Sequence, residues 1–340
     1  MSLISKEKLD GWLSAIAKEA TLIAPREIGG VLLYRPVAHS NDIVFNFTRP
    51  EMSIKEWLFP ATDRLMVIEK YRQQIRLTET LPNNRQVIFG VRPCDASGLK
   101  VLDTLFTDTD PVDLYYTKRR ENTTLIGLAC QEMGESCFCK SLGGELDDPR
   151  DVDIMLVERE GGYEVQVITE KGRDLLPSDW HDLDNWDERE TERRVYPDFN
   201  SASSPAYLET QAWPPFFKDD YWEKLAERCL SCRICAYVCP TCRCFDIRDE
   251  VLPSGVGFDR FERIRCWDSC ASEAYRRIAG GHNPRPLKGQ RMRNRFFCKF
   301  YYYPEQYGPI ACTGCGRCVD ACPVNIDITE VLQHLVEVNS

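Results

Sequence analysis

The chain has 340 residues, 43% of them apolar, which is enough for two ordinary domains with real cores and argues against a disordered chain. Its 53 acidic residues outnumber 43 basic ones, for a net charge of −10, which argues against nucleic acid as a general partner. No run of about eighteen apolar residues occurs, so no membrane span is expected.

The opening segment, MSLISKEKLDGWLSAIAKEA, lacks the apolar stretch and small-residue cleavage site of a secretory signal. The seventeen cysteines are therefore expected to be reduced thiols in a cytoplasmic protein, with metal or cluster binding as their use. Leu9, Trp12, Leu13 and Ile16 recur at helical spacing and predict a helix over 5–19. Ser53 with Glu56 predicts a capping box ahead of another short helix. The run 87–91 (VIFGV) reads as a buried strand, Cys94-Asp95 as the loop after it, and 98–106 as a helix burying Leu99, Leu102, Leu105 and Phe106. A second apolar strand, 124–129, ends at Cys130. Two strands thus each deliver a thiol to the carboxyl edge of a parallel sheet, where α/β folds place ligands. The runs 153–157 and 163–167, around Gly161-Gly162, predict a hairpin that closes the first domain. From about 180 to 218 the chain is acidic and then rich in Ser and Pro, as in Ser201-Ala202-Ser203-Ser204-Pro205 and Pro214-Pro215, which marks a linker or a strap across the surface. Asp220 with Glu223, and Asp327 with Glu330, predict capped helices that frame the cysteine-rich region. The expected fold class is α+β: an α/β domain over 1–180, a linker over 181–218, and a mostly helical, two-cluster ferredoxin-like domain over 219–340.

Two copies of one cysteine arrangement dominate that last region. Cys229, Cys232, Cys235 and Cys239-Pro240 are repeated as Cys312, Cys315, Cys318 and Cys322-Pro323, and both read C-x2-C-x2-C-x3-C-P. This spacing turns three thiolates toward one [4Fe-4S] cluster, while the residue before proline is pushed out of the helix and swung toward the neighbouring site. One cluster should take Cys229, Cys232, Cys235 and Cys322, and the other Cys312, Cys315, Cys318 and Cys239. Gly314 and Gly316 are expected to let backbone approach sulfide, whereas Ser231 and Arg233 at the matching places suggest a different electrostatic setting for the first cluster. Structural zinc is the bland alternative, but zinc has no need of a third cysteine at the same step or of Cys-Pro twice. The insertion between the two runs is far longer than the link in a minimal two-cluster ferredoxin and must have its own role or fold.

Cys94, Cys130, Cys137 and Cys139 form a third group, two at strand ends and two in one loop, that could bind a third [4Fe-4S] cluster; zinc or simple core packing are the alternatives. Cys242, Cys244, Cys270 and Cys298 could complete an additional metal site, with packing near the clusters as the alternative. Arg285, Arg291, Arg293, Arg295 and Lys299 are interleaved with Phe296, Phe297, Phe300 and Tyr301 to Tyr303. In an acidic chain this reads as cations that compensate cluster or acidic-segment charge and rings that keep water from sulfide, rather than as a nucleic-acid face. His282, after Gly280-Gly281, reads as a turn or core residue. There is no G-x-G-x-x-G after a strand and no phosphate-binding loop. Nor is there a compelling nucleophile and base set, so no catalytic residue is assigned. Electrons are expected to arrive from, and leave to, other subunits.

On the segments GVRPCDASGLKVLD, CFCKS, RCLSCRICAYVCPTCRCF, CWDSC with AGGHNPRP, and CTGCGRCVDACPVNI, the chain resembles the iron-sulfur subunit family that anaerobic sulfite reductase shares with cytoplasmic sulfhydrogenases, where it is the beta subunit. Where such proteins often carry histidine after the arginine-rich stretch, this chain has Cys298. The resemblance implies an iron-sulfur electron-transfer subunit with a flavin- and NAD(P)H-binding partner and a catalytic partner of hydrogenase or sulfite reductase type. Two other functions compete with this relay: a reductase whose own catalytic cluster sits in the N-terminal domain, and a zinc-bound structural scaffold.

Overall fold

The computed structural model describes residues 3–183, 208–255, 257–275 and 277–339. Apolar spacing and a Ser5 cap, whose hydroxyl accepts the Lys8 amide, make the helix α1 (Lys6–Glu19). The seven-stranded sheet that it covers runs β1-β9-β8-β7-β6-β2-β3. These strands are β1 (Leu3–Ile4), β2 (Thr21–Ile28), β3 (Val31–Pro36), β6 (Gln86–Val91), β7 (Thr123–Leu128), β8 (Ile154–Arg159) and β9 (Gly162–Val167). Strands β2, β6, β7 and β8 pair in parallel, and the two flanks are antiparallel.

The central strands are apolar along their length because both faces are covered. Val87 and Phe89 join Leu9, Trp12, Leu13 and Ile16 of α1 in one core. Ile88 and Val91 face Leu99, Leu102 and Phe106 on the other side. The two sets alternate along β6 until Gly90, at φ +76°, shifts the register.

Three local expectations are corrected. Cys94-Asp95 is not a loop, because Pro93 starts the helix α3 (Pro93–Phe106) one turn earlier than the apolar spacing suggested, proline being at home in a first turn. No capping box forms at Ser53, since Glu56 turns to Arg35 at 2.7 Å and the short helix α2 (Lys55–Leu58) has no side-chain cap. Asp220 likewise makes no cap bond, and the Tyr221 amide goes to Asp219. Asp327 does cap its helix, Ile328–Val338, while Glu330 pairs with Arg228 instead of closing a box.

The insertion has a fold that it shares with the N-terminal half. Its hairpin, β10 (Phe245–Leu252) and β11 (Phe258–Trp267), pairs with β4 (Thr62–Tyr71), which pairs with β5 (Gln74–Glu79), in the order β10-β11-β4-β5. A buried ion cluster fastens the base of this sheet. Asp63 accepts from Arg265 at 2.8 Å and from Arg119 at 2.6 and 2.9 Å, and Arg265 also reaches Asp113.

Of the expected linker, 184–207, Ser201 to Pro205 included, lies outside the described residues, but Pro214-Pro215 marks no linker, since both prolines sit in the short helix Trp213–Phe216. Leu208, Trp213 and Phe216 are already in the core of the C-terminal half, with Trp222, Phe296, Phe297, Phe300 and Leu335. That core therefore reaches back past 219.

Candidate iron-sulfur centres

Each cysteine run is a loop that turns into a one-turn helix. The first leaves the helix Tyr221–Arg228 at Cys229 and enters Ile234–Tyr237; the second enters Arg317–Asp320. Ser231 (φ +56°) and Arg233 (φ +68°) adopt the same left-handed backbone as Gly314 (+64°) and Gly316 (+74°). Both runs thus share one backbone course, and the glycines answer a second demand. A Cβ on Gly314 would sit 2.5 Å from the backbone of Cys139, and one on Gly316 would sit 2.4 Å from the Ser136 carbonyl oxygen. Room for the N-terminal loop, joined here by a Phe138 amide to Gly314 carbonyl bond of 2.8 Å, is what these glycines provide.

Cys239 is carried to the second run. Lys299, buried, donates to its Sγ at 3.2 Å, to Thr241 Oγ1 at 2.9 Å and to the Ala311 carbonyl at 3.1 Å, next to Cys312. Burial pushes the Cys312 thiol up to about 12 and that of Cys318 up to about 11, and the charge of Cys239 adds to the rise at both. Cys229, Cys232 and Cys235 lie together, burial and then the two neighbouring thiols raising Cys235, against which Arg295 works. Cys322 accepts the Ile326 amide at 3.2 Å and packs against the same core as Cys229.

The cations sit where negative charge must be held. Burial disfavours the Arg295 charge, but Cys235, Cys318, Cys242 and Cys239 outweigh it and raise its pKa well above the ordinary value. Its Nε and Nη2 are buried without a hydrogen-bond partner. Buried donors of that kind call for an acceptor. A cluster held by thiolates is such an acceptor, so the donor set fits one. Trp213 stacked on Phe300 at 5.2 Å, with Phe297 edge-on at 5.3 Å, forms part of the dry wall on this side. Arg293 is placed differently from the other cations, over the Phe217 ring and on the Phe217 carbonyl. Arg285 is half-buried, and Arg291 donates to the Arg285 and Pro286 carbonyls. His282 is an exposed turn residue whose carbonyl accepts the Ile278 amide.

The third group also converges. Cys94 opens α3 at the end of β6, Cys130 follows β7, and Cys137 and Cys139 sit in the loop pressed on the second run. Burial raises the Cys130 thiol to about 11, Arg92 opposes this, and Cys139 and Cys137 add to it. Cys137 Sγ lies 3.7 Å from the Cys315 carbonyl oxygen, and Arg49 Nη1 lies 3.3 Å from Cys137 Sγ. Between this group and the second run, Arg317 and Asp95 form a bidentate pair at 2.6 and 2.8 Å. Sequence reasoning gave neither residue a role, although each is adjacent to a ligand candidate or between two. It also missed Lys55, whose ammonium donates to the carbonyls of Ala236, Tyr237 and Cys242 at 3.2 to 3.4 Å and whose pKa burial lowers to about 8. Nothing in its local sequence marks it.

Cys242 is hydrogen-bonded to Cys239 and Cys270 to Cys244, and Cys242 and Cys298 are among the charged neighbours of Cys270. Cys266 stands apart, its thiol 3.9 Å from the Thr62 hydroxyl. Among the described residues no three His, Cys, Asp or Glu side chains are close enough to hold one metal ion. Nor is any described helix long and apolar enough to cross a membrane.

The 4Fe-4S dicluster domain family matches residues 228–326. Sulfhydrogenase 2 subunit beta of Pyrococcus furiosus is 33% identical over 331 residues, 92% of this chain and 94% of that protein. The chain belongs to the sulfhydrogenase beta-subunit family. It is an iron-sulfur electron-transfer subunit, and the relative is by its name one subunit of a sulfhydrogenase. No solved structure matches it.

Proposed function

We propose that this chain is the relay of a cytoplasmic oxidoreductase, taking electrons between a flavin- and NAD(P)H-binding partner and a catalytic partner of hydrogenase or sulfite reductase type. Two [4Fe-4S] clusters are laced crosswise, one on Cys229, Cys232, Cys235 and Cys322, the other on Cys312, Cys315, Cys318 and Cys239. A third is held by Cys94, Cys130, Cys137 and Cys139. Bound clusters supply one-electron reduction and oxidation. The chain's residues hold them, exclude water and set the charge around them. Arg295 and Lys299 favour the more negative state at the paired runs, and Arg317 does so between the second run and the third group.

The observation that carries this reading is the seam between Gly314 and Cys139. It supports side-by-side cofactors, because the loop bearing Cys137 and Cys139 touches the backbone of the second run. Anaerobic reconstitution followed by iron and sulfide analysis tests it, about eight irons per chain meaning two cubanes and about twelve meaning three. Clusters that no reductant titrates by electron paramagnetic resonance would end the relay account. The partner subunits are tested by identifying what copurifies with the native chain.

One observation favours catalysis at the third group instead. A cavity of about 80 Å³ opens beside Cys94 and Cys139, with Lys100, Arg150 and Cys312 on its wall. Turnover lost on replacing Cys94 and Cys130, with reducible paired clusters intact, would support that reading. One zinc per chain and no iron would support the scaffold.

A further inference from the structure

The geometry points to a further [4Fe-4S] cluster held by Cys242, Cys244, Cys270 and Cys298, directly beside Cys239 and so forming a branch from the second cluster. This rests on reading the chain as a cluster carrier. The four residues come from three separate segments, two joined by backbone contacts and the third by side chains. Strand pairing sets Phe245 opposite Trp267, and the Asp268 amide donates to the Cys244 carbonyl at 2.9 Å. Two residues on, Cys270 is buried inside a tight turn closed by a 2.8 Å bond from the Ser272 amide to the Ser269 carbonyl.

The third segment is the end of the helix Lys288–Phe297, where Cys298 opens a π turn, Cys298–Tyr302. Wide turns of this kind recur at functional sites. Arg243, between Cys242 and Cys244, lies 3.5 Å from Cys298 Sγ, and Lys299 reaches back to Cys239. The segments 239–244, 268–270 and 298–299 thus surround one small volume. The thiols agree with this, Cys270 being hydrogen-bonded to Cys244. Cys266, on the same strand, is left out, with its thiol on Thr62.

By donor type alone four thiols suit zinc or a cubane. Their neighbour decides for the cubane: Cys242 is hydrogen-bonded to Cys239, a ligand of the proposed second cluster, and a redox-inert zinc ion would carry no electron onward from it. Cations also surround the fourth set, with Arg243 on Cys298, Lys55 on the Cys242 carbonyl at 3.2 Å, and Lys299 on Cys239.

The full chain, purified or reconstituted without oxygen, is expected to hold about sixteen irons, four cubanes of four. Cys270→Ser with Cys298→Ser should lose about four irons and keep the paramagnetic signals of the reduced paired clusters. Cys266→Ser should lose none. If the double variant fails to fold, Cys298→Ala alone takes its place, with the same loss of about four irons expected. A parent holding about eight or twelve irons, with none lost in either variant, overturns this cluster and leaves the relay intact. One zinc per chain that disappears in the variants overturns it too. A parent without iron overturns both.

Discussion

Asp95 bears a carboxylate at 0% exposure, and Arg317, at 2%, is its partner from the other half of the chain. A buried bidentate pair of this kind is costly to break, because removing one member strands the other's charge. Arg317→Met should therefore destabilise the protein by about 3–5 kcal/mol, read as a lower unfolding temperature under anaerobic conditions. Asp95→Asn with Arg317→Met should cost less than the two single changes added together, which a double-mutant cycle measures. Lys299 brings a buried positive charge to Cys239. Its ammonium, 3.2 Å from Cys239 Sγ, favours the more negative reduced state, so Lys299→Met should lower one reduction potential by at least ~60 mV, a tenfold shift for one electron. A redox titration followed by electron paramagnetic resonance reads that shift. An unchanged potential would mean that Cys239 does not serve a cluster.

At the scale of elements, the two cysteine runs have the same backbone and different neighbours. Ser231 holds the same left-handed φ with a side chain in place, whereas Gly314 has the Cys139 backbone where a Cβ would go. Gly314→Ala combines strain of about 1–3 kcal/mol with a clash that backbone cannot escape. It should displace the loop bearing Cys137 and Cys139 and cost about four irons, while Ser231→Ala leaves the iron count unchanged. The second sheet carries a comparable dependence. Strand β11 covers β4, and Arg265 brings the counter-charge for Asp63. Removing the β10–β11 hairpin should leave β4 as a bare edge and Asp63 with Arg119 alone, giving aggregates on size-exclusion chromatography.

Across the whole molecule, the halves are joined too tightly to behave as separate domains. The shared sheet, the Asp95–Arg317 pair, Lys55 on the carbonyls of Ala236 and Tyr237, and Gly98 facing Pro240 all cross between them. One calorimetric transition is expected, with van't Hoff and calorimetric enthalpies in agreement, where independent domains would give two. The third group touches the second run at Cys315 and the fourth touches Cys239, so the second run is the junction of the proposed path.

The cysteine spacing, the strands 87–91 and 124–129 and the first helix were legible in the chain because each is a local matter: period, cap and covalent step. The meeting of four cysteines drawn from 242–298, the companionship of Asp95 with Arg317, and the pairing of β4 with β11 were not. Each depends on segments far apart in the chain, and no local pattern of charge or hydrophobicity records which distant surface will neutralise a buried charge or complete a sheet.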